Sequence, residues 1–187
     1  MIGKENGIIM NILVTGAGGF VGKNLVENLK NIKEGRNRTR PDLLIGEIYE
    51  YDKSPDTRAE NTLLEEYCQK ADFIFHLAGV NRPEDTSEFE RGNLGSLACL
   101  LETLKKYNNR SPVMLSSSIQ AALTGRYKDS PYGESKRAGE ELLFRYSRET
   151  DVKVLVYRFP NLFGKWCRPN YNSAVATFCH AIANGLD

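Results

Sequence analysis

Tyr132 and Lys136 are a pair of side chains that could move a proton. They lie four residues apart in the segment 131–136, so on a helix they share one face. A phenol has a pKa of about 10, which makes it a poor acid or base at neutral pH. A neighbouring ammonium stabilises the phenolate and brings it into a useful range. Taken alone, such a pair is best explained as surface residues on an amphipathic helix, so a catalytic role needs further groups nearby.

Three consecutive serines at 116–118 supply such groups. They end a predicted strand that begins at Val113. Open α/β sheets bind their ligands at the carboxyl edge of the strands. A hydroxyl at that edge could hydrogen-bond a substrate oxygen and stabilise the charge that develops on it. A serine run by itself is a polar loop, but its position ahead of Tyr132 and Lys136 makes coincidence a poor explanation.

A glycine-rich turn near the N-terminus indicates a nucleotide site. Gly16, Gly19 and Gly22 follow a GxxGxxG spacing, with Phe20 and Val21 inside it. The first glycine permits a tight turn, the second lets the backbone approach a pyrophosphate, and the third lets helix and strand pack closely. The pyrophosphate would rest against free N–H groups at the helix N-terminus. Because the turn follows a predicted strand and opens a predicted helix, the sequence favours a dinucleotide site over a plain tight turn. A bound nicotinamide cation would further stabilise the phenolate of the tyrosine.

Alternating strands and helices predict an α/β fold built on a Rossmann-type doubly wound parallel sheet. Short apolar runs predict strands at residues 11–15, 43–51, 72–77, from 113 onward and at 152–157. Apolar residues at helical spacing predict helices after the glycine turn, at 56–70, around Leu94–Leu104, at 134–149 and at 172–184. We expect one such domain over residues 10–187, preceded by a loose extension of residues 1–9 and with an incomplete substrate-binding region.

The composition excludes several classes of protein. With 187 residues and 41% hydrophobic residues, the chain predicts a single packed domain. The 25 Lys and Arg nearly balance the 24 Asp and Glu, which argues against nucleic-acid or membrane-surface partners. No apolar run approaches the roughly 20 residues that span a bilayer. The four cysteines lie far apart and only two histidines are present, so we expect neither a metal site nor disulfides. No signal-peptide pattern is present, which favours a cytoplasmic protein.

The order of these motifs resembles the extended short-chain dehydrogenase/reductases, the NAD-dependent epimerase/dehydratase family, which act on nucleotide sugars. Segment 75–80 looks like that family's fourth-strand motif beside the cofactor. Asn93 matches its helix asparagine, and segment 158–164 resembles its RxxNxxG segment. The resemblance covers the chain from Met10 to its end.

This resemblance implies a role for each matching residue. Ser118 would be the catalytic hydroxyl, Tyr132 the acid/base and Lys136 its partner. Ser117 is the alternative hydroxyl if the serine run is shifted by one position. The implied cofactor-binding residues are Gly16, Gly19, Phe20, Val21, Gly22, Asp52, Lys53, Leu77, Ala78, Gly79, Asn93, Ser116, Tyr132 and Lys136. The implied substrate-binding residues are Arg158, Asn161 and Asn172.

Segments 76–84, 115–121 and 160–173 resemble a branch of the family that works in capsular-polysaccharide and O-antigen synthesis. The resemblance implies NADPH-dependent reduction of the 4-keto group of a UDP-2-acetamido-2,6-dideoxyhexose, on the route to UDP-N-acetyl-L-fucosamine. It also implies a homodimer and a longer protein with a C-terminal metal-binding cupin domain. This chain is therefore expected to be a fragment.

The cofactor and the reaction type stay open at this point. Asp52 could bind a ribose 2′-hydroxyl and favour NAD, whereas Lys53, with Arg58, could accept a 2′-phosphate and favour NADP. The resemblance favours NADP. An NAD-dependent 4-epimerase would use the same three catalytic residues, and a non-catalytic dinucleotide-binding module would need only the glycine turn. A 4,6-dehydratase is disfavoured, because the resembling dehydratases carry acidic residues where this chain has Ile119 and Gln120.

Overall fold

Five parallel strands form the sheet. The computed structural model describes residues 9–52, 57–81, 83, 85 and 87–186. Within these residues the strands are β1 (Ile9–Thr15), β2 (Leu44–Tyr51), β3 (Phe73–His76), β4 (Val113–Ser118) and β5 (Val154–Phe159). They stand in the order β2-β1-β3-β4-β5, and every neighbouring pair is parallel. This is a common doubly wound order, so the predicted Rossmann-type α/β fold is confirmed.

Helices connect the strands and cover the sheet. They are α1 (Phe20–Lys33), α2 (Thr57–Lys70), α3 (Ser87–Phe89), α4 (Ser96–Lys106), α5 (Pro131–Thr150) and α6 (Ala174–Asn184). A π-helical turn, Glu90–Gly95, joins α3 to α4, and two 3₁₀ turns, Ile119–Ala122 and Gly125–Tyr127, lie between β4 and α5. No helix in the described part of the chain is long and apolar enough to cross a membrane.

The sheet separates two apolar layers because successive strand residues point to opposite faces. Leu13 of β1 packs with residues of α2, α4 and α5 in one layer. Its neighbours Ile12 and Val14 pack with Val26 and Leu29 of α1 in the other layer. A slip of one residue would exchange the two sets, so the core fixes the strand register.

This register brings the predicted functional residues to one edge of the sheet. Thr15 pairs with His76, which pairs in turn with Leu115. Strand β4 continues beyond that level through its three serines, which pair with the end of β5. Strand β1 has β2 on one side and β3 on the other, so the connections that leave β1 and β2 run in opposite directions across the sheet. This reversal opens a crevice between β1 and β3.

The start of one helix differs from the sequence-based expectation. Helix α5 begins at Pro131 rather than at residue 134. Its start is fixed by Ser130, whose side chain accepts a hydrogen bond from the Gly133 N–H, and by a proline at the first position. Tyr132 therefore lies in the first helical turn. Segment 75–80, which resembles the family's fourth-strand motif, begins in β3, the strand predicted at residues 72–77.

Candidate active site

A cleft of about 690 Å³ opens at the carboxyl edge of the sheet. It brings together most of the residues that the sequence singled out. The predicted residues that line it are Gly19, Phe20, Val21, Leu77, Gly79, Ser116, Ser118, Tyr132, Lys136, Asn161 and Asn172, together with the alternative hydroxyl Ser117. The other predicted residues with described side chains lie around the cleft without lining it: Gly16, Gly22, Asp52, Ala78, Asn93 and Arg158.

The glycine turn is built by close backbone contacts. Gly16 has a φ of +73°, and a Cβ there would lie 2.6 Å from the Ala78 nitrogen. A Cβ on Gly22 would overlap the Gly16 carbonyl oxygen and the backbone of Ala17. Both positions therefore require glycine, one for its conformation and the other for the contact between helix and turn. The predicted roles of these two glycines in shaping the turn agree with this geometry.

The N-terminus of α1 offers a place for an anionic group. Gly19 caps the helix without a side-chain hydrogen bond, so the first N–H groups of α1 face the cleft without a helical partner. Lys23 and Arg168 also line the cleft, as does Lys136, and no acidic side chain does so among the described residues. A helix N-terminus and three cations favour phosphate groups. The residues present fit a dinucleotide.

Ser118 and Tyr132 meet across the cleft. Ser118 ends β4 and is nearly buried, and Tyr132 is half-buried in the first turn of α5. Burial raises the pKa of the Tyr132 phenol, and a hydrogen bond with the Ser118 side chain opposes that rise. The net pKa lies above the ordinary value. The phenol is therefore protonated at neutral pH, and it gives up its proton only where neighbouring groups stabilise the phenolate that remains.

Lys136 is a buried cation one helical turn after Tyr132. Only 7% of the residue is exposed, and its Nζ donates a hydrogen bond to the Ser116 carbonyl oxygen over 3.2 Å. The Nζ lies 5.7 Å from the centre of the Tyr132 ring. Burial lowers the pKa of Lys136 to about 8. The ammonium is therefore charged at neutral pH and close enough to stabilise a phenolate on Tyr132.

Asn93 holds the floor of the cleft in place from the π-helical turn. Its Oδ1 accepts from the Val80 N–H over 2.8 Å, and its Nδ2 donates to the Ser135 hydroxyl over 2.9 Å. Its side chain also lies against Gly79, where a Cβ would come within 2.7 Å of Oδ1. Asn93 thus ties the segment after β3 to the helix that carries Tyr132 and Lys136.

Asp52 holds the glycine turn from the end of β2. Its Oδ2 accepts the Gly18 N–H over 2.5 Å. Asp52 lies beside the turn but does not line the cleft itself. Lys53 lies outside the described residues, and so does the side chain of Arg58. The structure therefore places one of the three groups that were expected to set the cofactor preference.

Arg158 pairs with a buried carboxylate rather than facing the cleft. Its Nε and Nη2 donate to the two oxygens of Glu140 over 2.8 and 2.6 Å. The Ser117 hydroxyl donates to the same carboxylate over 2.5 Å. Burial raises the pKa of Glu140, but the hydrogen bonds from Arg158 and Ser117 outweigh it and hold the pKa below the ordinary value. This network joins α5 to the ends of β4 and β5.

We expect the variant Glu140→Ala to be destabilised by about 2–3 kcal/mol, because it leaves the buried Ser117 hydroxyl without its acceptor and Arg158 without its ion-pair partner. The melting temperature at neutral pH would fall by roughly 5–10 °C. Since the pKa of Glu140 is lowered in the fold, this difference should shrink as the pH falls through the folded-state pKa. Glu141→Ala is the matched control, because Glu141 forms an exposed ion pair with Arg137. Equal melting temperatures for the two variants would contradict the prediction.

His76 is a buried, neutral side chain at the end of β3. Its Nδ1 lies 2.8 Å from the Thr15 Oγ1, and both residues are 2% exposed. Burial, reinforced by the nearby charge of Lys136, lowers the pKa of His76 to about 3. The imidazole therefore carries no charge at neutral pH, which agrees with its interpretation as a packing residue at the strand end.

Glu140 and Lys23 are among the residues of the site that were not predicted. Glu140 follows Tyr132 and Lys136 at the same four-residue interval, so helical spacing could have placed it on their face. Lys23 stands in the first turns of α1 beside the glycines, where a cation would favour a bound phosphate. Gln120 was considered only for its inability to act as an acid, yet it lines the cleft.

Comparisons with known proteins agree with this geometry. The NAD dependent epimerase/dehydratase family matches residues 12–187. The chain is 44% identical over 178 residues to the UDP-2-acetamido-2,6-beta-L-arabino-hexul-4-ose reductase of Pseudomonas aeruginosa, covering 95% of this chain and 42% of that protein. It is 29% identical over 188 residues to an uncharacterized UDP-glucose epimerase, YtcB, of Bacillus subtilis, covering 86% of this chain and 59% of that protein.

A solved structure gives the same picture. The chain superimposes on the capsular polysaccharide assembling protein CapF of Staphylococcus aureus with a TM-score of 0.73 and 46% identity. The match covers 95% of this chain and 43% of that one. The chain thus spans less than half the length of the reductase and of CapF.

Proposed function

Because the chain belongs to the NAD dependent epimerase/dehydratase family, we propose that it catalyses the NADPH-dependent reduction of the 4-keto group of a UDP-2-acetamido-2,6-dideoxyhexose. The observation that carries this proposal is the meeting of Ser118, Tyr132 and Lys136 in one cleft beside the glycine turn. The identity to a reductase named for such a sugar nucleotide supports the choice of substrate. The product would enter capsular-polysaccharide or O-antigen synthesis, which the name of CapF supports.

Ser118, Tyr132 and Lys136 would each have a separate role in the reduction of the carbonyl group. When bound, the dinucleotide supplies the hydride that the keto carbon accepts. Tyr132 donates its phenolic proton to the carbonyl oxygen, which becomes a hydroxyl. Ser118 donates a hydrogen bond to the same oxygen and holds it while negative charge develops. Lys136 stabilises the phenolate left on Tyr132 until solvent returns the proton.

The free N–H groups at the start of α1 and the side chain of Lys23 would hold the cofactor pyrophosphate. We propose NADPH rather than NADH as the cofactor. Asp52 accepts the Gly18 N–H, which supports a role in shaping the turn, and the resemblance favours NADP. Lys53, with Arg58, would then accept the 2′-phosphate. The resemblance further supports a cytoplasmic homodimer with a C-terminal cupin domain.

The stoichiometry of NADPH tests the proposed function. The intact protein, incubated with the UDP-4-keto sugar, is expected to oxidise one NADPH for each sugar reduced, because reduction consumes a hydride. A 4-epimerase, the alternative with the same catalytic residues, recycles its cofactor and would show no net change in NADPH absorbance. Calorimetric titration would show tighter binding of NADPH than of NADH. Tighter NADH binding, or sugar conversion without loss of NADPH, would contradict the proposal.

A further inference from the structure

We infer that Gln120 is a substrate-binding residue that donates an amide hydrogen bond to an oxygen of the hexose, and so helps to select the sugar nucleotide. The identity of the ligand rests on the proposed function. Gln120 lies in the 3₁₀ turn Ile119–Ala122 and lines the cleft with Ser118 and Tyr132. Its position beside the reacting groups is the first reason to consider it.

The backbone of Gln120 is fixed between the two catalytic elements. Its N–H donates to the Ser118 Oγ over 3.2 Å. Its carbonyl oxygen presses against helix α5, where a Cβ on Gly133 would lie only 2.6 Å away. The turn that carries Gln120 is thus held between the end of β4 and the start of α5, and its side chain projects from a rigid base.

The side chain of Gln120 is also oriented. Its Oε1 accepts a hydrogen bond from the Ser130 hydroxyl over 2.9 Å. That hydroxyl also accepts the Gly133 N–H over 3.0 Å, and its single hydrogen is the one that it donates to Gln120. With its oxygen held in this way, Gln120 keeps two N–H donors on Nε2. Within the described part of the chain these donors have no acceptor.

A fixed amide of this kind is a donor that cannot move a proton. It therefore binds an acceptor oxygen and adds nothing to the acid–base chemistry of Tyr132. The cleft lining contains no acidic side chain among the described residues that would compete for the amide. A sugar oxygen that meets the amide gains a hydrogen bond, and a sugar without one leaves a donor unpaired. The oxygen is either a ring hydroxyl or the carbonyl of a 2-acetamido group.

Binding of two stable sugar nucleotides tests the inference. UDP-N-acetylglucosamine and UDP-glucose differ at C2, and both would be titrated by calorimetry into the intact protein in the presence of NADP⁺. Gln120→Glu keeps the size of the side chain and the acceptor for Ser130 but replaces the free donor by an acceptor. We expect both Gln120→Glu and Gln120→Leu to weaken binding by roughly tenfold. If the acetamido carbonyl is the partner, only UDP-N-acetylglucosamine is affected; if a hydroxyl is the partner, both ligands are.

Gln69→Leu is the matched control, since the Gln69 amide is exposed on α2 and donates to the Glu65 carbonyl. Its affinities should equal those of the wild type, and the melting temperatures of all three variants should lie within a few degrees of the wild type, with Gln120→Leu the lowest because it removes the acceptor for Ser130. Unchanged affinities of Gln120→Glu and Gln120→Leu for both ligands would overturn the inference, as would wild-type protein that binds neither ligand. Turnover with NADPH is measured separately, so failure of the proposed reaction would appear as binding without reduction.

Discussion

Replacing Tyr132 by phenylalanine is expected to lower kcat for reduction of the UDP-4-keto sugar by about a thousandfold. Proton transfer by a positioned side chain contributes roughly 10²–10⁴-fold to a rate, and the variant removes the proton donor without changing the shape of the site. Burial raises the pKa of the phenol, so the wild-type residue is protonated at neutral pH, and donation of its proton depends on Lys136 stabilising the phenolate. The steady-state rate of NADPH oxidation by the intact protein would measure the effect.

Two controls separate the loss of the proton from a loss of structure. Tyr146→Phe makes the same change on the same helix, at a residue that is buried in the core and does not line the cleft. It should retain full kcat. The affinity of Tyr132→Phe for NADPH should stay within a few-fold of the wild type. If Tyr132→Phe keeps a tenth or more of the activity, the proton comes from another group, and Ser118 becomes the first candidate.

The sequence predicts the elements of this fold well because the strands are short apolar runs and the helices carry apolar residues at regular spacing. It also predicts the edge at which the site forms, since parallel strands bring Gly16, Leu77 and Ser118 to the same side. The start of α5 is less well predicted, because its boundary depends on capping by Ser130 rather than on apolar periodicity. Capping residues and a proline at the first position are visible in the sequence and give the correct start.

The role of Arg158 shows what the sequence cannot provide. A motif assigns it to the substrate, whereas its guanidinium lies in a bidentate contact with Glu140. The two residues stand on different elements, 18 positions apart, and only the packing of α5 against β5 brings them together. The contact between Gln120 and Ser130 has the same origin, because it depends on a turn folding back on a helix. Motifs identify the residues, and tertiary packing decides what each one touches.

The buried ammonium of Lys136 lowers the stability of the fold and serves the reaction at the site. Burying an ammonium is costly unless it is paired with a charge, and among the described residues its assigned hydrogen bond goes to the neutral Ser116 carbonyl. The lowered pKa, about 8, expresses that cost. Because a pKa shift of one unit corresponds to about 1.4 kcal/mol, keeping Lys136 charged at neutral pH costs the fold on the order of 3 kcal/mol. Such a cost is typical of a group held for its function.

We therefore expect Lys136→Met to be inactive and yet more stable than the wild type. Methionine fills a similar volume without a charge, so the melting temperature at pH 7 should rise by a few degrees, corresponding to a gain of about 1–2 kcal/mol after loss of the hydrogen bond to Ser116. The rate of reduction should fall by about a hundredfold or more, because no cation remains to stabilise the Tyr132 phenolate. Calorimetric melting and NADPH turnover on the same preparation would measure both changes.

The stability gained by Lys136→Met depends on pH. The folded-state pKa of Lys136, about 8, lies below the ordinary lysine value of 10.5. Below pH 8 the lysine is charged in both states and the full cost applies, whereas above pH 8 the folded state sheds the proton and the cost declines towards pH 10.5. The stability gained by Lys136→Met should accordingly be largest at pH 7 and smaller at pH 10. Lys106→Met, at an exposed ion pair with Glu65, should show no such gain. A melting temperature for Lys136→Met below that of the wild type at pH 7 would contradict the prediction, because it would mean that the ammonium stabilises the fold.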